Sequence, residues 1–286
     1  MRSWMKRRWK FYLTAIVCLE IFVAFAGCAN TFLLIPSTDK REAMGATSRP
    51  VMIGSNTLEI WTQRSKACGT DEPKAYVLEF CGNGTRAEDI AWFVAERWAK
   101  WPVEVWCMNY PGYGGSTGPA YLKSIPPAAL ATYDSLRAIA GSRPIFLEAN
   151  SLGTTAAIYV AANRPTPALV LQNPPPLRRL IFQHHGWWNL WLLATPVTLQ
   201  IPIELNSPSW APLVHAPACF LLADEDEVVP PKYHDMVVDA YVGPKLVINL
   251  PYATHNSPVD AASEKIVRQW IAKQWDQAFP TTQPVR

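Results

Sequence analysis

The sequence predicts an α/β fold, a mostly parallel sheet with helices packed on both of its faces. Three observations carry that reading. Short strand-like runs alternate with helical patterns along the chain, the arrangement of successive βαβ units. Several runs, Ala75–Phe80 among them, are apolar nearly throughout, which suits strands covered on both faces. With 286 residues, 49% of them hydrophobic and 17% charged, the chain can bury an ordinary core, and this excludes a disordered protein. The 14 Gly and 26 Pro show no period, so collagen-like and coiled-coil classes are excluded too, and many defined loops are expected.

Residues 1–27 read as an address rather than as fold. Arg2, Lys6, Arg7, Arg8 and Lys10 precede an apolar run over residues 11–27, which ends in Phe25-Ala26-Gly27-Cys28. That ending resembles the bacterial lipoprotein cleavage motif, in which a small residue precedes a Cys that becomes lipidated. Phe25 stands where Leu or Val is usual, and Glu20 interrupts the apolar run. Cys28 is the candidate lipidation site. An uncleaved membrane anchor is a second reading, since residues 11–35 approach the length of a bilayer span. A third leaves Cys28 an ordinary cysteine. Under the first two, the positive-inside bias places the body in the cell envelope, outside the cytoplasm. The first 27 residues carry a net +4 of the chain's +3, so the remainder is at −1. The body thus lacks the electrostatic footprint of a nucleic-acid binder.

Residues 28–49 are mixed and polar and read as a tether; 50–277 form the globular domain, and 278–286 a tail. Within the domain, Val51–Ile53, Leu58–Thr62 and Ala75–Phe80 read as strands. Residues 86–99 read as a helix with Ile90, Phe93, Val94 and Trp98 on one side. Val103–Met108 is a strand, 127–139 a helix, and Ile145–Glu148 a strand. An Ala-rich helix, Leu152–Ala162, follows and is ended by Asn163-Arg164-Pro165. Strands follow at Ala168–Leu171, Ala218–Leu222 and Leu246–Leu250, with helices at 231–241 and 260–275. Segment 177–210 breaks the alternation between the sixth and seventh strands. Its Trp187, Trp188 and Trp191 stand among leucines, so it reads as a short hydrophobic cap over a pocket, or as a packing helix at the sheet edge.

The residues that carry chemistry stand at strand ends. Ala149-Asn150-Ser151-Leu152-Gly153 follows a strand and opens a helix, the setting of the nucleophile elbow G-x-S-x-G, with Ala149 at the first Gly position. So tight a turn needs small residues on both sides, and it exposes the Ser hydroxyl where a helix N-terminus favours negative charge. Cys81-Gly82-Asn83-Gly84 ends an earlier strand. Its backbone N–H at Asn83, with that of Leu152, could bind an oxyanion. Asp224, Glu225, Asp226 and Glu227 follow a late strand, where a triad acid belongs, and His255 follows the last one. The order Ser, acid, His belongs to one fold.

With these residues in place, the sequence resembles the α/β-hydrolase superfamily over nearly all of 50–277. It is most similar to the small serine hydrolases of the BEM46-like and prolyl-oligopeptidase-like groups. Tyr110-Pro111-Gly112-Tyr113-Gly114-Gly115-Ser116 matches their Tyr-x-Gly-Tyr-Gly-x-Ser motif, and Cys81-Gly82-Asn83 matches their His-Gly-Asn turn with Cys in place of His. Their Asp-x-x-hydrophobic-Pro motif falls on Asp226–Pro230, a register that selects Asp226, and their Gly-Thr-His-Asn falls on Ala253–Asn256. The resemblance implies an α/β-hydrolase fold with a Ser151–Asp226–His255 triad and an oxyanion hole from the Asn83 and Leu152 N–H groups. It implies hydrolysis of a small-molecule carboxylic ester or thioester through an acyl-enzyme on Ser151. Neither metal nor cofactor is called for. Tyr113, Trp187, Trp188 and Trp191 are the candidate substrate-binding residues. A serine peptidase of the same fold, or a non-enzymatic envelope lipoprotein binding a partner through its cap, are the alternative readings. No Cys/His spacing suggests zinc. Cys81 and Cys107 read either as small buried hydrophobes or as a disulfide pair.

Overall fold

The computed structural model describes residues 2–25, 27–39, 41–184, 186–187, 191–192 and 194–280. Among them eight strands form one sheet: β1 (Thr47–Ile53), β2 (Asn56–Arg64), β3 (Ala75–Phe80), β4 (Val103–Met108), β5 (Ile145–Asn150), β6 (Leu169–Gln172), β7 (Ala218–Ala223) and β8 (Lys245–Leu250). Their spatial order is β1-β2-β4-β3-β5-β6-β7-β8. β1 and β2 form an antiparallel hairpin, in which Gly54 takes φ 58°, a conformation open to it because it lacks a Cβ. β2 is antiparallel to β4, and every pairing from β4 to β8 is parallel. The fold class expected from the alternation is the one observed.

The helices are α1 (Arg2–Phe25), α2 (Cys28–Leu33), α3 (Ala87–Arg97), α4 (Ile125–Ala140), α5 (Leu152–Asn163), α6 (Leu177–Arg179), α7 (Ala194–Gln200), α8 (Ser207–Trp210), α9 (Pro231–Ala240) and α10 (Ala261–Ala278). Residues alternate across the central strands. Tyr76, Leu78 and Phe80 of β3 pack with α4 and α5 on one face, while Ala75 and Val77 pack with α3 and α10 on the other. Because both faces are covered, β3, β4 and β7 are buried along their whole length. This is why they read as continuous apolar runs. Pro126 and Pro127 open α4 and Gly141 closes it at φ 61°. The Asp260 carboxylate caps α10 by accepting the N–H groups of Ala262 and Ser263 at 2.9 and 3.0 Å.

The strand order also places the site. From β3 the chain crosses to β4 on one side, and β5 lies on the other. The ends of β3 and β5 therefore flank the point where the winding reverses, the location at which open α/β sheets hold ligands.

The N-terminal region differs from a free tether. α1 packs against α7, and Gly27, at φ 67°, turns the chain into α2. Ala29 and Leu34 are buried in the core, because the segment after Cys28 carries apolar side chains that the body of the fold covers. Among the described residues no helix is long and apolar enough to cross a membrane. All six cysteines are free thiols, Cys81 and Cys107 included.

Candidate active site

Three loops at the carboxyl edge of the sheet meet. Ser151, between β5 and α5, has φ 51° and ψ −122°, a region L-residues rarely enter. The strained turn is held from both sides. Ser151 N–H donates to Gln172 C=O at 2.8 Å, and a Cβ on Gly153 would lie 1.9 Å from the carbonyl oxygen of Phe80. Only glycine lets α5 start this close to β3.

His255 Nε2 lies 2.9 Å from Ser151 Oγ, and His255 Nδ1 lies 2.7 Å from Asp226 Oδ2. An ionised carboxylate can only accept, so Nδ1 carries the proton and Nε2 is left as acceptor for the serine hydroxyl. Asp226 is the buried acid of its loop; Asp224, Glu225 and Glu227 are exposed. Its Oδ1 accepts the N–H groups of Val228 and Val229 at 2.9 and 2.7 Å. Burial alone would push the carboxyl up. The imidazoles of His234 and His255 and the Val229 N–H outweigh it and hold Asp226 well below the usual carboxylate range. Asn173, at the end of β6, donates through Nδ2 to His255 C=O at 3.1 Å and accepts Ala223 N–H at 2.9 Å, tying the histidine loop to β7.

The turn after β3 stands against the elbow: a Cβ on Gly82 would lie 3.6 Å from Ser151 Cβ. Among the described residues no acceptor takes the N–H of Asn83 or of Leu152, so both are free to meet an oxyanion. Tyr110 Oη donates to Cys81 C=O at 2.8 Å, and Tyr113 Oη donates to Asn83 Oδ1 at 3.0 Å. Burial pushes the Tyr113 hydroxyl up to about 12, which keeps it a neutral donor.

A cavity of about 310 Å³ opens beside Ser151 and His255, at the small end for ligand sites. Its walls are apolar: Leu177, Leu180 and Ile181 from the cap, Val228 and Val229 after Asp226, and Phe32, Leu33 and Ile35 from the N-terminal segment. Wider hollows beside Trp106 and Arg143 hold neither His nor carboxylate.

Several expected residues fall elsewhere. Tyr113 is not a cavity wall; it is buried behind Asn83, where its hydroxyl has a partner. Trp187 and Trp191 are exposed and do not line the cavity; the cap lines it with Leu177, Leu180 and Ile181 instead. Trp188 lies outside the described residues. Cys28 is the half-buried first residue of α2. Sequence reasoning overlooked Phe32, Leu33 and Ile35, whose only signal was an apolar stretch inside a polar segment. It also overlooked His234, fully buried with Nε2 3.4 Å from Asp226 Oδ2.

No family model matches the chain. Two uncharacterized proteins from two strains of Mycobacterium tuberculosis are each 28% identical over 159 residues, 54% of this chain and 54% of theirs. The chain thus spans about half the length of the curated relatives it matches. Among solved structures, Est1E from Butyrivibrio proteoclasticus aligns with a TM-score of 0.65 at 15% identity, over 80% of this chain and 98% of its own. The Pyrococcus furiosus esterase Pf2001 aligns with a TM-score of 0.64 at 13% identity, over 86% and 97%. The mouse alpha/beta hydrolase domain-containing protein 10 aligns with a TM-score of 0.58 at 18% identity, over 81% and 99%. At these identities the likeness is one of fold.

Proposed function

We propose that this chain, which has the α/β-hydrolase fold, is a serine hydrolase that cleaves carboxylic esters or thioesters through an acyl-enzyme on Ser151. One observation carries the reading: Ser151 Oγ, the His255 ring and Asp226 Oδ2 are linked by contacts of 2.9 and 2.7 Å at the mouth of an apolar cavity. His255 Nε2 takes the hydroxyl proton as Oγ attacks the ester carbonyl, and Asp226 stabilises the imidazolium that forms. The carbonyl oxygen, now an oxyanion, is met by the N–H groups of Asn83 and Leu152. His255 returns the proton to the leaving alcohol or thiol; water, activated by the same imidazole, then releases the acid.

The esterase names of the structural neighbours favour ester over amide substrates, as does the absence of charged residues from the cavity wall. Within the superfamily the motif matches favour the BEM46-like and prolyl-oligopeptidase-like groups. The enzyme is tethered at a membrane in the cell envelope, through a lipidated Cys28 or through residues 1–27 kept as an anchor. The basic residues 2–10 and the Gly27-Cys28 pair support this. A Cys28→Ala variant that leaves the membrane fraction would identify Cys28 as the tether.

Fluorophosphonate labelling of the folded protein beside Ser151→Ala tests the activity. Labelling that vanishes with Ser151 is the expected result. A folded wild-type chain that takes up no label overturns the reading.

A further inference from the structure

The segment after Cys28 is joined to the site at many points. α2 stops because Pro36 bars Ile35 from the helical region, and Leu34 is already extended at φ −102° and ψ 140°. The extended stretch runs beside the oxyanion turn and takes both ends of the Asn83 amide. Asn83 Nδ2 donates to Leu33 C=O at 2.6 Å, and Ile35 N–H donates to Asn83 Oδ1 at 3.0 Å. Three further bonds lock the segment to distant parts of the fold. Ala29 N–H donates to Gln200 Oε1 in α7 at 3.1 Å, Leu122 N–H donates to Asn30 Oδ1 at 2.8 Å, and Gly114 N–H donates to Ser37 C=O at 2.9 Å.

Its side chains face the same cavity as the triad. Phe32, Leu33 and Ile35 line it together with the cap residues Leu177, Leu180 and Ile181, yet Phe32 and Ile35 remain 67% and 64% exposed. They form an apolar rim that still has surface to bury. An acyl chain running outward from Ser151 would cover that surface, and the gain would grow with the length of chain in contact. An acetyl group offers only a single methyl for such burial.

We propose that residues 32–35 belong to the active site: Phe32 and Ile35 select esters of extended apolar acyl chains, and the Leu33–Ile35 backbone positions the oxyanion turn through Asn83. The inference rests on the serine hydrolase reading above. It makes selectivity a property of the residues next to the membrane tether, rather than of the tryptophans in the cap.

The test compares kcat/KM for p-nitrophenyl octanoate and p-nitrophenyl acetate in the full chain and in two variants. Phe32→Ala/Ile35→Ala is expected to lower the octanoate-to-acetate ratio about tenfold, from the loss of a few methylene-sized contacts. The ratio is internal to each sample, so a partly unfolded variant, which loses both rates together, does not imitate the effect. Asn83→Ala keeps the backbone N–H but removes the side-chain bonds to Leu33 and Ile35, together with the one from Tyr113. It is expected to lower kcat for both esters alike and leave their ratio unmoved. An unchanged ratio in the double variant of a protein whose Ser151 still labels overturns the selectivity role and spares the hydrolase reading. Wild-type kcat in Asn83→Ala overturns the positioning role. A wild-type chain whose Ser151 takes no label overturns the hydrolase reading and this inference with it.

Discussion

His234 Nε2 lies 3.4 Å from Asp226 Oδ2, the same carboxylate oxygen that receives His255 Nδ1 at 2.7 Å. His234 is fully buried on α9, and among the described residues neither of its ring nitrogens has a well-aligned hydrogen-bond partner. Its ring thus approaches the same Asp226 carboxylate as the His255 ring does. Residues that share one charged group couple energetically. A double-mutant cycle of His234→Leu and Asp226→Asn in urea unfolding is expected to give an interaction energy of about 1 kcal/mol. Strictly additive effects would show that the two side chains are only neighbours.

Asp226 predicts an acid dependence. Its folded pKa lies below the ordinary 3.8, so its contribution to stability is fully present above that value and fades as the pH falls toward the folded one. Asp226→Asn should therefore cost about 1–3 kcal/mol at pH 7, and the difference from wild type should narrow as the pH drops below 4. Unfolding curves at pH 7 and pH 3 check this. A gap that widens in acid contradicts it.

Glu79 has the opposite sign. It sits in the middle of the sheet on β3, level with Glu148 on β5 and Cys107 on β4, and its Oε2 has no partner among the described residues. Burial first, and the nearby Glu148 second, push its carboxyl well above the ordinary 4.5. An acid that is harder to ionise when folded contributes most below its unfolded value and loses that contribution as the pH rises. Glu79→Gln, which keeps the shape and cannot ionise, should raise the melting temperature at pH 8 and leave it near wild type at pH 4. Equal shifts at both values would mean Glu79 acts by packing alone.

Gly153→Ala tests the elbow. The new methyl would overlap the Phe80 carbonyl, which is backbone and cannot swing aside. A loss of about 3 kcal/mol or more is expected, together with loss of fluorophosphonate labelling. Wild-type stability in this variant would mean the turn is looser than its geometry implies.

Under the proposed mechanism, His255→Ala removes the group that carries the proton. Turnover of any ester the enzyme accepts should fall about 10⁴-fold. Steady-state rates on p-nitrophenyl esters measure it, and a residual activity within tenfold of wild type would rule out the triad.

The eight strands and the main helices of the body were legible in the sequence, most to within about two residues. So were the residues that meet at the sheet edge. Both depend on local chemistry. A strand covered on both faces must be apolar along its length. An elbow must carry a small residue where the helix start touches the neighbouring strand, as Gly153 touches Phe80. The order of Ser151, an acid and His255 follows from the order of the strands that carry them.

Tertiary structure decided what depends on contacts between distant segments. Of four acids in one loop, only Asp226 is buried against two backbone N–H groups. Hydrophobic pattern reports that a residue tends to be covered and not what covers it. Trp187 and Trp191 therefore looked like a pocket lining and are exposed, while Tyr113 looked like a substrate contact and buttresses Asn83. Phe32 and Ile35 looked like part of a polar tether and wall the cavity. Asn83 and Ile35 are 48 positions apart in the chain. Nothing in the local spacing of either records the other, and only the folded sheet brings them together.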